Sequence, residues 1–127
     1  MTDDEILERA RAIRRQVLGD EYVDSQVDEP RPALRDFQDH LTRQAWGAWA
    51  REGPLSLRDR SLLVLAMTAA LGRTEEFTLH AAAAHRAGVT DDELDELLFQ
   101  VAAYCGAPAG ISAKRALAEV RAQERDA

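Results

Sequence analysis

Cysteine is all but missing from this sequence. Cys105 stands alone, which excludes an intramolecular disulfide, a CxxC redox pair and a thiolate cluster for zinc or iron. Lysine is as scarce, Lys114 being the single lysine among 16 basic residues. Positive charge is itself in the minority: 16 basic against 23 acidic residues leave a formal charge of -7. That balance lacks the concentrated basic face needed to attract nucleic acid or an anionic membrane, so neither is expected as a partner. The longest apolar run, Leu62 to Leu71, is about half a membrane span. The N-terminal "MTDDEILERARAIRR" has neither the basic start nor the apolar centre of a secretory signal, and a cytoplasmic protein is expected. No Gly-rich phosphate loop, HExxH or GxSxG occurs.

Helix signals fill the space. No stretch alternates β-branched or aromatic residues with period two, so the expected fold is all-α, a compact bundle of about six helices in one domain of 127 residues. Ile6, Ala10, Ile13, Val17 and Leu18 mark one face of a first helix that stops at Gly19. A polar connection, "DEYVDSQVDEPRP", is expected next. Leu34, Phe37, Leu41, Ala45, Ala48 and Trp49 then form the stripe of a helix over 32–51, with Gly47 inside, where glycine suggests close contact. Ser56 and Asp59 read as a capping box opening a third helix, "LLVLAMTAAL", that looks buried on most sides and ends at Gly72. Thr74 is the expected cap of a fourth helix closed by Gly88. Thr90 and Glu93 make a further capping box, Gly106 and Pro108 break the fifth helix, and a last helix over 109–123 presents Ile111, Leu117 and Val120. Alanine-rich faces let helices approach closely but bury little area per residue, so oligomerisation is expected to finish the core.

Within "TEEFTLHAAAAHRAG", Glu76 and His80 are four apart and share a helix face. There the carboxylate can fix the imidazole tautomer or favour its cation, a general acid/base arrangement that is equally the spacing of an ordinary helix pair. Ala83, Ala84 and Ala87 continue that face and leave room for a void beside the ring. His85 lies about 140° around the helix from His80, a poor geometry for a shared metal, and reads as a cation near a helix end. No metal site is expected. Arg58 and Arg60 flank Asp59 at a helix start, where they can receive an anion or pair on the surface. Trp46 and Trp49 in "RQAWGAWAR" have the spacing of core indoles.

Taken together, "RRQVLGDEYVD", "LTRQAWGAWAR", "RSLLVLAM", "EFTLHAAAAHRAGVT" and "ELLFQVAAYCGAPAG" resemble the carboxymuconolactone decarboxylase family in order and spacing, almost end to end. The resemblance implies an oligomeric all-α enzyme, commonly hexameric, that decarboxylates a small carboxylated lactone of protocatechuate catabolism without a cofactor. On that reading His80 donates a proton, Glu76 orients it, Arg60 or Arg43 anchors substrate carboxylates, and Trp46 walls the pocket. Two other readings share the fold. A thiol-dependent peroxidase relative would need the second cysteine that is missing, and a non-catalytic relative would bind a small acidic metabolite without turning it over.

Overall fold

In the computed structural model, which describes residues 1–26 and 28–127, every regular element among the described residues is helical. The all-α class expected from the sequence is therefore the class that forms. The chain divides into two compact units, Met1–Pro54 and Leu55–Ala127.

The first unit opens with α1 (Asp3–Leu18). Its capping box pairs the Thr2 hydroxyl with the Glu5 N–H and the Glu5 carboxylate with the Thr2 N–H, each at 3.1 Å. It stops at Gly19, whose φ of +89° suits a residue without a side chain. The polar connection expected next starts instead as a short helix, α2 (Asp20–Ser25). Two acidic residues sit in its first turn, and Arg15 donates to both Asp20 (3.1 Å) and Asp24 (2.7 Å), so charge organises a stretch with no apolar face. Val27, in the same connection, lies outside the described residues.

The helix expected over 32–51 is a single helical run in three parts: α3 (Pro32–Leu41), a π-helical turn (Thr42–Trp46) and α4 (Gly47–Ala50). The Gly47 N–H donates to the Thr42 carbonyl, five residues back instead of four. One extra residue in a turn rotates everything beyond it by about 100°. The stripe read at helical spacing is thus not one face: Trp49 is buried, while Leu34, Phe37, Leu41, Ala45 and Ala48 are exposed. α1 lies against the π turn and α4. Gly47 faces Ile6, but a Cβ there would stand an ordinary 3.6 Å from it, so close approach does not demand glycine.

The second unit contains α5 (Leu57–Leu71), α6 (Thr74–Ala87), α7 (Asp91–Cys105) and α8 (Ala107–Asp126). Ser56 caps α5 by accepting the Asp59 N–H at 3.1 Å, but the Asp59 carboxylate, a methylene shorter than glutamate, turns to Arg58. The cap of α6 is Arg73, not Thr74; Thr74 is the first helical residue and its carbonyl accepts the Thr78 hydroxyl. Gly88 closes α6 in the left-handed conformation, and the Thr90–Glu93 box forms in full. α8 is longer at both ends than the 109–123 expected.

Leu65, Phe77, Leu94, Leu97, Val101 and Leu117 form the apolar cluster of this unit, with Ala81, Ala84, Ala113 and Ala116 between them. α5 is not buried on most sides. Ser61 and Leu65 are its buried residues, whereas Leu63, Met67 and Leu71 are exposed, as is Ile111 of α8. A helix apolar all round can offer one face to its own unit and leave the other bare. Phe99 and Tyr104 of α7 add to this, at 70% and 90% exposure.

Among the glycines, the closest helix approach is at Gly110 of α8. A Cβ there would stand 2.9 Å from the Ala102 Cβ and 3.4 Å from its Cα, neither of which can swing aside. Gly110→Ala should therefore destabilise the protein by about 1–3 kcal/mol through overpacking. The same change at Gly47 should be neutral or stabilising by up to about 1 kcal/mol. Denaturant melts of both variants test this, and equal effects at the two sites would contradict it.

Candidate active site

The bland composition of α6 gives its location. Phe77, Ala81, Ala84 and Ala87 put one face into the interior, and His80, on the same helix, is buried with them at 8% exposure. Ser61 and His80 are the buried polar side chains among the described residues. The His80 Nδ1 is shut away from solvent. Burial disfavours the imidazolium and pushes the His80 pKa below the ordinary value, while the negative charge of Glu76, one turn earlier, pulls it back in part. Glu76 itself is exposed. The pair therefore joins a desolvated imidazole to a solvent-facing carboxylate, and at neutral pH the ring is neutral.

Ala83, Ala84 and Ala87, expected to leave space beside the ring, are themselves buried, Ala84 within the apolar cluster. Their small size serves close packing of α6, which lies against α5 and α8. A cavity of about 280 Å³ does open at the N-terminal end of α6, walled by Thr68, Gly72, Thr74, Phe77, Pro108 and Ser112 among others. Its walls carry no charged side chain and do not include His80.

The arginines differ in how they are engaged. Arg58 is ion-paired with Asp59 at 3.1 Å and with Glu93, so it takes the surface-pair reading and not the anion-receiving one. The half-buried Arg60 donates from Nε to the Leu55 carbonyl at 3.0 Å, bracing the start of α5. His85 is exposed and lies 3.2 Å from the Asp91 carboxylate, a helix-end pairing in keeping with its expected role. Cys105 is an exposed free thiol.

Arg43 and Trp46 belong to the first unit, on the π turn. Trp46 stacks on Trp49 with ring centroids 5.3 Å apart, and Trp49 is the buried member. Arg43 is half-buried and lines a cleft of about 540 Å³ with Arg9, Gln44 and Arg51. The five candidates thus divide into Glu76, His80 and Arg60 in one unit and Arg43 and Trp46 in the other. Ser61 is the polar group that sequence reading passed over. A serine five residues past an N-cap looks like a surface residue, and only the packed helix reveals its burial.

Among the described residues no three His, Cys, Asp or Glu side chains are grouped to hold a metal, and no helix is long and apolar enough to cross a membrane. In this all-α chain a buried imidazole sits one helical turn from a solvent-facing carboxylate. The chain is a member of the carboxymuconolactone decarboxylase family, whose sequence profile matches residues 35–119. It is 36% identical over 121 residues to the 4-carboxymuconolactone decarboxylase of Acinetobacter baylyi, covering 94% of this chain and 90% of that one. It is also 38% identical over 102 residues to the nitrosuccinic acid decarboxylase npaB of Metarhizium robertsii, covering 80% of this chain and 71% of that one.

The state of His80 has a thermodynamic consequence. Because its pKa is lowered on folding, the unfolded chain binds the proton more readily. The neutral ring's contribution to stability is then intact above the unfolded value of about 6.5 and lost as pH falls below it towards the folded value. The stability difference between wild type and His80→Gln should shift against the wild type as pH falls below about 6.5. A difference independent of pH, or one moving in favour of the wild type, would contradict the assignment.

Proposed function

We propose that this chain is a cytoplasmic, cofactor-free decarboxylase that converts 4-carboxymuconolactone to 3-oxoadipate enol-lactone and CO2 in protocatechuate (β-ketoadipate) catabolism. The observation that carries this reading is His80, buried on α6 one turn from Glu76, and the similarity to the Acinetobacter enzyme supports the choice of substrate.

The substrate supplies its own electron sink. The bond from the lactone γ-carbon to its carboxylate breaks, and the electron pair passes through the conjugated double bond onto the carbonyl oxygen, giving an aromatic oxyfuran anion. One proton must then reach the α-carbon. That chemistry leaves the protein to hold the acetate arm, balance charge at the oxygen and deliver the proton. Arg60 or Arg43 anchors a carboxylate, Trp46 bounds the site, Glu76 orients the ring and His80 gives the proton. The neutral imidazole takes up a proton from solvent as the dianionic substrate binds, because negative charge nearby raises its pKa, and the imidazolium so formed gives that proton to the α-carbon.

A second reading, decarboxylation of a nitro-substituted diacid, is favoured by the similarity to the nitrosuccinic acid decarboxylase. There the nitro group takes the electron pair that the lactone carbonyl takes in the first, and the same proton delivery to carbon follows. The test offers both acids to the protein, with CO2 release as readout. Lactone turnover with nitrosuccinate inert supports the first reading and the reverse supports the second; release from neither contradicts both.

With the active substrate, His80→Gln should lose on the order of 10²-fold or more in turnover, the usual contribution of a general acid. Activity should fall as pH rises, at a lower pH in kcat/KM than in kcat, since only kcat reports the substrate-bound ring. Turnover within about 3-fold of wild type in a folded variant would remove His80 from the mechanism.

The bare faces of α5 and α7, with Leu63, Met67, Leu71, Phe99 and Tyr104 exposed, support a homo-oligomer, for which the family resemblance favours a hexamer. Light scattering should give a multiple of the chain mass, and a monomer at micromolar concentration would contradict this.

A further inference from the structure

One recess of the first unit carries charge of both signs in equal number. It has a volume of about 630 Å³, and its walls set Arg11, Arg14 and Arg15 of α1 against Asp24, Asp28 and Asp39. The cleft around Arg43 and the recess between α7 and α8 differ from it, each holding more cations than carboxylates. Its size falls in the range of small-molecule pockets, roughly 300–1,000 Å³. None of Glu76, His80, Arg60, Arg43 and Trp46 lines it.

Four of the six charges are already matched. Arg11 donates to Asp39 at 2.8 Å and Arg15 to Asp24 at 2.7 Å. Arg14 and Asp28 are left over: among the described residues neither has an ion pair or a side-chain hydrogen bond, with the other or with any third group. Arg14 is half-buried, so its guanidinium has given up part of its water without gaining a carboxylate, an arrangement that an arriving anion relieves. Asp28 is exposed, in the segment before α3, and faces the same cleft. Gln38 and Thr42 add neutral hydrogen-bonding groups beside them.

An anion entering this cleft is drawn by Arg14 and repelled by Asp28, and a cation meets the reverse. A molecule bearing both charges satisfies both. We infer that the cleft binds a small zwitterion of the amino-acid class, its carboxylate received by the Arg14 fork and its ammonium by Asp28. Gln38 and Thr42 serve whatever further polar groups the ligand carries. The site shares no residue with the proposed chemistry, so its fate is independent of the substrate assigned above.

The test is an NMR titration of the full-length protein with glycine and with 4-aminobutyrate, which hold the two charges at short and long spacing. Acetate and methylammonium, which carry one charge each, are the comparison. At least one zwitterion should bind about 10-fold or more tightly than either single ion, shifting backbone amides of residues 11–15 and 38–42. Arg14→Gln should weaken that binding about 10-fold, the scale of one lost charged contact. Asp28→Asn, at an exposed position, should weaken the zwitterion by a similar factor while tightening acetate, because the repulsion is gone. A merely structural role for Asp28 would not move the two ligands in opposite directions. Equal affinity for zwitterions and single ions, no amide shift from either zwitterion at millimolar concentration, or undiminished zwitterion binding in folded Asp28→Asn would overturn the inference.

Discussion

Alanine at 81, 83, 84 and 87 lets α6 lie deep against α5 and α8, and that depth carries an imidazole out of water. Everything proposed for the chemistry depends on it. A histidine on an exposed helix face would not be desolvated; His85, at the end of the same helix, is paired with Asp91 and open to solvent. His80 is instead desolvated, held neutral by burial and drawn back towards the cation by Glu76. A group balanced between those two influences responds strongly to a third charge, which is what an anionic substrate brings.

The two acids named by the relatives pose one chemical problem. In each, a carboxylate leaves from a carbon whose electron pair an acceptor within the substrate can hold, and a carbon must then be protonated. A protein serving that chemistry needs few catalytic groups. On the proposed reading, discrimination between the two acids falls to the groups that hold the other carboxylate. Arg58 is spent on Asp59 and Glu93, and Arg60 braces the start of α5. Arg43, in the other unit, lines a cleft that also holds the Glu52 carboxylate.

Local grammar made most of the fold legible in the sequence. Gly19, Gly88 and Gly106 end helices where expected because a positive φ is written in the residue itself, and the Thr90–Glu93 box is a contact between near neighbours. The Glu76–His80 spacing was readable for the same reason. What failed depends on partners that sequence does not reveal. The π turn at 42–46 broke the apolar stripe after Leu41, because one inserted residue in a hydrogen-bond ladder leaves no trace in composition. The bare side of α5 and the exposure of Ile111 were missed because an apolar residue shows that a cover is needed, not where the cover comes from. Ser61 went unnoticed because a small hydroxyl suits water and interior alike. Small side chains can either open a space or close helices together, and Ala84, read as leaving space, packs within the apolar cluster.

The most direct measurement is the titration of the His80 ring nitrogens by NMR in the intact, unliganded protein, with His85 as internal comparison. The account predicts that His80 titrates below the ordinary histidine value of about 6.5 and stays neutral at pH 7, and that adding an anionic substrate analogue moves its pKa upward. A ring that is already protonated at pH 7 in the free protein, or whose pKa is indifferent to the analogue, would contradict it.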